Sequence, residues 1–142
     1  MNMTNENQPE IERLVNTWIS YSSSTRLNPA VEPEYWAWEE LDRLCRKSPE
    51  VAWTVILRIL NSTDHEFVLE NLAAGPLETL LGRHGRNFIE LIEDRAEADL
   101  RFRWLLAGVW KNSIPDELWS RLQAAVSEVP EVLPTLPKFS NP

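Results

Sequence analysis

The residue types best suited to chemistry in this sequence are four carboxylates at helical spacing: Glu90, Glu93, Asp94 and Glu97. An α-helix has about 3.6 residues per turn, so spacings of three, four and seven place all four on one face. Two of them could act as general acid and base if a cleft removed them from water. A solvated outer face is the more frequent arrangement, and such a face can bind a positively charged partner.

The remaining candidate nucleophile and metal ligands do not form a recognised catalytic or metal-binding motif. Cys45 is the only cysteine, and its amphipathic helical context favours a buried, inert thiol. His65 and His84 lie nineteen positions apart, and a metal site would need further ligands from carboxylates. His84 precedes Gly85, which indicates a structural role at a helix C-terminus. With no Walker A, HExxH, CxxC or GxSxG pattern in the chain, we predict no catalytic residue, metal site or cofactor.

Two helical stretches that are otherwise apolar each carry a pair of polar residues. Glu70 and Asn71 interrupt one stretch, and Arg101 and Arg103 interrupt the other. Shifting the chain by 35 residues against itself makes the two stretches equivalent, which predicts neighbouring helices braced by a Glu70–Arg103 ion pair. The alternative is a polar patch in a concave groove that accepts side chains of a partner.

The formal net charge of −8 is concentrated in the middle of the chain. Residues 64–99 contain nine acidic residues and three arginines, whereas residues 100–142 contain four acidic and five basic residues. Nucleic-acid binding requires a basic surface, so this distribution argues against it. It suits a basic partner protein or, equally, solubility alone.

Capping signals and apolar periodicity predict an all-α fold of seven to eight short helices in a single domain, residues 1–142. Pro49 follows a serine and should begin a helix. Thr63 or Asp64 should cap another, and Gly75-Pro76 and Gly85 should end helices. Residues 1–8 are expected to be frayed. Prolines exclude regular helix from the tail, residues 129–142, which Leu133, Leu136 and Phe139 should pin to the body.

The 35-residue repeat also bears on how the helices pack. In that register Trp53 aligns with Phe88 and Asp64 with Asp99. Each copy reads as two apolar helices joined by a turn, which predicts HEAT-like stacked helical hairpins with residues 48–122 as their core. The match weakens in the second half of each copy, so an irregular bundle stays open as the alternative.

Two segments carry a resemblance to a known family. LENLAAGPLETLLGRHG and RFRWLLAGVW, over about residues 48–122, resemble DUF6869, a family of small bacterial proteins of unknown function. The resemblance implies an all-helical bacterial protein and brings no catalytic residues with it. By analogy, some small acidic helical proteins of this kind resemble immunity proteins encoded beside contact-dependent toxins.

These observations lead to an expected function. The polar N-terminus has no apolar core, and no apolar run approaches a membrane span, so we expect a cytoplasmic protein without membrane association. The chain has seven tryptophans, and we expect some of their indole side chains to lie at an interface rather than in the core. We expect a non-enzymatic module whose acidic surface binds a basic protein, such as a toxin. The alternatives are a structural or regulatory helical scaffold that can form a homodimer, and a small hydrolase that uses the acidic cluster.

Overall fold

All regular secondary structure is helical in the computed structural model, which describes residues 8–23 and 33–136. The all-α prediction is therefore confirmed for these ranges. A π-helical turn, Ala73–Leu77, joins the fourth helix to the fifth. The α-helices are α1 (Gln8–Ser23), α2 (Tyr35–Lys47), α3 (Pro49–Leu60), α4 (Glu66–Leu72), α5 (Glu78–Ala98), α6 (Leu100–Ala107) and α7 (Asp116–Ala125).

The central part of the chain is more continuous than predicted. Helix α4, the π-helical turn and α5 follow one another without a break, so the described residues form six separate helical segments rather than seven or eight. Pro76 has no N–H and cannot make an ordinary helical hydrogen bond. The wider π-helical turn carries the chain past it, and Leu72 and Glu78 on either side keep right-handed helical dihedral angles.

The predicted helix ends at Gly75 and Gly85 are wrong because both glycines serve close packing. None of the four glycines has a positive φ, the conformation that a glycine C-cap uses. A Cβ added at Gly85, inside α5, would lie 2.9 Å from Cδ1 of Leu118 in α7. A Cβ at Gly75 would lie 3.0 Å from the ring of Trp38. Both positions thus allow another helix to approach closely.

The two aligned aspartates have different roles, so the sequence repeat does not extend to the structure at this point. Asp99 caps α6 by accepting hydrogen bonds from the backbone N–H groups of Arg101 and Phe102. Neither Thr63 nor Asp64 caps α4. His65 does so instead, its Nδ1 accepting from the backbone N–H of Val68 at 3.4 Å.

One contiguous buried cluster runs from Ile11 in α1 to Leu133 beyond α7. Aromatic rings connect the helices within it. Trp18 stacks on Trp38 between α1 and α2, with ring centroids 5.6 Å apart. Trp53 of α3 contacts Phe88 of α5 and Phe102 of α6, at 6.3 and 5.3 Å between centroids. The core thus draws on helices from both halves of the chain.

At the N-terminal end the structure differs from the prediction at one residue, because Gln8 was expected to be frayed and is helical. Gln8 begins α1, and the rest of the expected frayed segment lies outside the described residues. Residues 129–136 contain no helix, as the prolines require, and Leu133 is buried. Leu136 is half-buried and donates its N–H to Asp64. Phe139 lies outside the described residues.

Arg101 is the one buried ionised side chain in the described part of the chain, with 6% of its surface exposed. Its Nη2 donates to the carbonyls of Leu60 and Thr63. Its Nη1 donates to Asp64 Oδ1 at 2.6 Å and to the carbonyl of Pro134 at 2.5 Å. These bonds tie α6 to the end of α3, to the loop before α4 and to residues 130–136. They offset the cost of taking the charge out of water.

We expect Arg101→Met to destabilise the fold by about 2–4 kcal/mol, because it leaves buried carbonyls without a donor. Urea unfolding followed by tryptophan fluorescence measures the change. Arg86→Met is the matched control, since Arg86 is 73% exposed in its ion pair with Glu117, and should change stability by less than about 1 kcal/mol. Equal stability of the two variants would contradict the role assigned to Arg101.

Candidate functional site

The four carboxylates singled out in the sequence lie in the second half of α5, and the structure divides them into two groups. Glu90, Asp94 and Glu97 are exposed, whereas Glu93 is half-buried. The division follows from the neighbouring helix α7, which packs along α5 on the side of Glu93. We call Glu90, Asp94 and Glu97 the acidic ridge.

Glu93 pairs with Arg121 of α7 through two hydrogen bonds. Nε of Arg121 donates to Oε2 at 2.9 Å, and Nη2 donates to Oε1 at 2.5 Å. The hydrogen bonds from Arg121 lower the pKa of Glu93, and those to Glu93 raise the pKa of Arg121. Sequence analysis missed Arg121, since nothing local in α7 indicates which residue of α5 it will face. A bidentate pair of this kind fixes the two helices in register.

An open cleft of about 360 Å³ lies beside this ion pair. Helix α5 contributes Glu93 and Glu97, α6 contributes Arg103, α7 contributes Arg121, and the turn after α7 contributes Glu128. The cleft thus places three carboxylates and two guanidinium groups around one opening. Three of the residues predicted to bind a partner meet here, namely Glu93, Glu97 and Arg103.

The predicted Glu70–Arg103 ion pair is wrong. Arg103 donates instead to the carbonyls of Ala96 at 2.8 Å, Glu97 at 3.1 Å and Glu128 at 3.0 Å. The last carbonyls of a helix carry partial negative charge and have no partner within the helix, so they attract a guanidinium. Glu70 lies exposed on α4. Arg103 therefore caps the C-terminal end of α5 by donating to its last carbonyls, and it does not connect α6 to α4 through Glu70.

The other predicted partner-binding residues do not join the cleft. Glu70 and Asn71 lie on α4 and are absent from its lining. Arg101 is not a surface residue in this structure, because its guanidinium is enclosed by backbone carbonyls and Asp64. The 35-residue alignment placed Arg101 and Arg103 in one patch, but the two side chains leave α6 toward different neighbours.

The acidic ridge is unoccupied by other side chains. Within the described ranges, the carboxylates of Glu90, Asp94 and Glu97 make no hydrogen bond and no ion pair, in contrast to Glu93. Leu91, 47% exposed, lies beside them on the same helix. Glu90 interacts with Arg121 through its charge but makes no ion pair with it. The ridge is thus a row of carboxylates without ion pairs, with one apolar side chain at its edge, carried on a helix of 21 residues.

Cys45, the two histidines and Glu93 are each buried or in contact with another group. Burial, together with the charge of Asp42, raises the pKa of the Cys45 thiol to about 12. His65 caps α4, and Nε2 of His84 lies 2.9 Å from the carbonyl of Arg46 at the end of α2. Glu93 has a lowered pKa, opposite to the shift that a general acid needs at neutral pH. No group of three or more potential metal ligands occurs within the described ranges.

His84 contacts the C-terminus of a helix, as predicted, but of a different helix from the one that was expected. The sequence predicted that it would stabilise the C-terminus of its own helix. It lies inside α5, and the carbonyl it contacts belongs to the last turn of α2.

None of the helices in the described ranges is long and apolar enough to cross a membrane.

Comparison with known proteins identifies the family. The model of DUF6869, described as a family of unknown function, matches residues 26–129, and the chain belongs to this family. The match extends beyond residues 48–122, where the sequence resemblance was noted. No curated protein matches the chain. No solved structure matches it either.

The Glu93–Arg121 pair should make stability depend on pH in the acid range. Because the folded-state pKa of Glu93 is lowered, its contribution is present above the pKa of the unfolded chain and is lost as the pH falls through the folded pKa. We expect the wild type to be more stable than Glu93→Gln at pH 7, and the difference to shrink as the pH falls toward the folded-state pKa of Glu93 and to disappear below it. Urea unfolding at a series of pH values tests this, with Asp94→Asn as the control for a carboxylate on the same helix that makes no ion pair.

The buried thiol should be unreactive in the folded protein. With the pKa of Cys45 raised to about 12, little thiolate is present at pH 8, and the side chain is closed to solvent. We expect a disulfide reagent that releases a coloured thiolate to react at least about 100-fold more slowly with the native chain than with the chain in guanidinium chloride. Similar rates in both conditions would place Cys45 at the surface.

Proposed function

We propose that this protein is a non-enzymatic, cytoplasmic protein-binding module that uses the acidic ridge of α5 to bind a basic partner. Among such modules we propose the immunity type, in which the partner is a toxin that the module neutralises. The observation that carries the proposal is the free state of Glu90, Asp94 and Glu97 beside a neighbouring carboxylate that is paired. A partner's lysines or arginines can bind these groups without first breaking an internal ion pair.

The support for the ridge is rigid, which favours binding. Helix α5 packs against α2, α3, α6 and α7, and the Glu93–Arg121 pair fixes it to α7. Charges held on a rigid element lose little conformational freedom when a partner arrives. The net charge of −8 also attracts a basic partner from a distance and speeds association at low salt.

The cleft beside the ridge adds a place for a partner side chain. Glu97 and Glu128 line it, and both are exposed with carboxylates that have no partner in the described ranges. Arg103 holds the backbone of Glu97 and Glu128 together through their carbonyls. A long cationic side chain entering the cleft would meet the carboxylates of Glu97 and Glu128, which favours binding of a basic protein over binding of a nucleic acid.

For the architecture that presents this surface, we propose an irregular bundle rather than HEAT-like stacked hairpins. In a solenoid each hairpin contacts only its neighbours in the stack. Here α5 contacts helices from both halves of the chain, and α1 contacts α2, α3 and α4. The binding surface is then the outer side of α5 rather than a concave groove.

Reversal of the ridge charges tests the proposal. We expect the full chain with Glu90→Lys, Asp94→Lys and Glu97→Lys to lose at least about tenfold in affinity for its basic partner. The matched control carries Glu10→Lys, Glu39→Lys and Glu50→Lys, which change the net charge equally on other helices. It should retain binding at physiological salt, where long-range charge effects are screened.

The partner for this measurement comes from the genes adjoining the one that encodes this chain. Each neighbouring product is co-expressed with the wild type, the ridge variant or the control, and both growth and co-purification are recorded. Rescue of growth by the wild type and control but not by the ridge variant supports the immunity type. Absence of any toxic neighbour and of any basic protein that co-purifies at low salt would contradict it.

A helical scaffold that forms a homodimer is the second candidate, and Trp110 favours it. This side chain is 72% exposed in the segment between α6 and α7, and exposed tryptophan is typical of interface centres. Light scattering of the wild type and of Trp110→Ala separates the candidates. A stable dimer that Trp110→Ala converts to a monomer would support the scaffold over the monomeric binding module.

A further inference from the structure

We infer that a cleft between α3 and α5 binds a small organic molecule through a phosphate group of that molecule. The cleft has a volume of about 450 Å³ and shares no lining residue with the cleft beside the Glu93–Arg121 pair. We call it the arginine cleft, and it is lined by Thr54, Leu57, Arg58, Asn61, Ser62 and Arg95. No residue of the acidic ridge belongs to this lining, so the inference does not depend on the proposed function.

The lining of the arginine cleft is positively charged, although the protein as a whole is acidic. Two guanidinium groups line it, Arg58 from α3 and Arg95 from α5, and no carboxylate does. The whole chain, in contrast, has 22 acidic residues and 14 basic ones. Arginine binds phosphate oxygens through parallel, charge-assisted hydrogen bonds. Two guanidinium groups also match the charge of a phosphate monoester, which is about −1.5 to −2 at pH 7.

Both guanidinium groups are held by residues outside the cleft and keep free N–H groups. Nε and Nη2 of Arg95 each lie 3.1 Å from Asp99 Oδ2, and its Nη1 makes no hydrogen bond among the described residues. Nη2 of Arg58 donates to Gln8 Oε1, whereas its Nη1 lies 3.9 Å from Glu12, beyond hydrogen-bond distance. Because the two side chains are already positioned, little conformational entropy is lost when an anion binds.

The carboxylate that supports Arg95 is itself fixed. Oδ1 of Asp99 accepts from the backbone N–H groups of Arg101 and Phe102, which caps α6. Asp99 is thus held at the start of α6 and is absent from the lining of the cleft. The Arg95–Asp99 pair therefore orients the guanidinium without placing a negative charge among the lining residues.

The neutral polar residues of the cleft add one donor. The side-chain amide of Asn61 is exposed and makes no hydrogen bond among the described residues. The hydroxyl groups of Thr54 and Ser62 already donate to the carbonyls of Glu50 and Arg58, at 3.3 and 2.5 Å. The amide and the two guanidinium groups are therefore the donors that we assign to the phosphate oxygens.

Apolar side chains indicate what the rest of the ligand is like. Leu57 lines the cleft and is half-buried. Leu91 lies one helical turn before Arg95, on the same face of α5, and is 47% exposed. A ligand whose phosphate contacts Arg95 can therefore place an apolar group against these leucines. The matching ligand is a phosphate monoester with an apolar or aromatic body.

Titration of the full chain with phenyl phosphate at pH 7, followed by proton–nitrogen NMR, tests the arginine cleft. The side-chain Nε–H signals of Arg58 and Arg95 should shift with one dissociation constant. The signal of Arg83, which is exposed on α5 outside the cleft, should stay in place. Inorganic phosphate lacks the ring and benzoate carries a single charge, so each should bind at least about tenfold more weakly than phenyl phosphate.

A pair of variants that add the same charge at different places provides the matched control. Asn61→Asp places a carboxylate at the cleft, where it competes with the phosphate for the guanidinium groups, and should weaken binding of phenyl phosphate at least about tenfold. Asn87→Asp adds the same charge at an exposed position of α5 outside the cleft. It should change the affinity by less than about twofold at physiological salt.

Equal affinities of the two variants would overturn the inference. So would a wild type in which Arg58 and Arg95 do not shift at about 10 mM phenyl phosphate, or in which Arg83 shifts as much as they do. Binding of benzoate as tight as that of phenyl phosphate would overturn the assignment to phosphate. Circular dichroism confirms that both variants are folded, and the wild-type titration decides by itself if Asn61→Asp is not.

Discussion

The guanidinium of Arg101 is the interaction on which the arrangement of the described chain depends most. It is buried at the start of α6 and connects the end of α3, the loop before α4 and residues 130–136. A charge in that position is costly unless it is paired and hydrogen-bonded, and four backbone and carboxylate acceptors come together around its two Nη atoms. Parts of the chain more than thirty residues apart in sequence are thereby fixed relative to one another. The Nε atom of Arg101 is buried without a hydrogen-bond partner among the described residues.

The second constraint is the continuity of the helical run from α4 through α5. A proline and three glycines lie within it, yet it does not end before Ala98. The π-helical turn accommodates Pro76, and the glycines allow Trp38 and Leu118 to approach. The result is a long continuous support with one side packed and one side exposed. The proposed binding surface consists of the carboxylates on the free side, and α7 removes Glu93 from that surface by pairing it with Arg121.

The acidic ridge offers charge at low desolvation cost and acts over a distance, which suits rapid and salt-dependent association. Arg101 and Glu93 belong to separate networks, so the interior that Arg101 organises and the surface beside Glu93 can be altered independently.

The sequence by itself determined the helical class, the start of α3 at Pro49, the absence of helix over residues 129–136 and the shared helix of the four carboxylates. Each of these depends on residues within one or two turns of each other, where periodicity and backbone chemistry decide the outcome. Only the tertiary structure decided that Gly85 is a packing position and that His65 replaces Asp64 as a cap. It also decided that Arg101 is buried, that Arg103 closes α5, and that Arg121 pairs with Glu93. The physical reason is that the partners of these side chains come from other helices, and no local pattern specifies which distant carbonyl or carboxylate a charged group will meet.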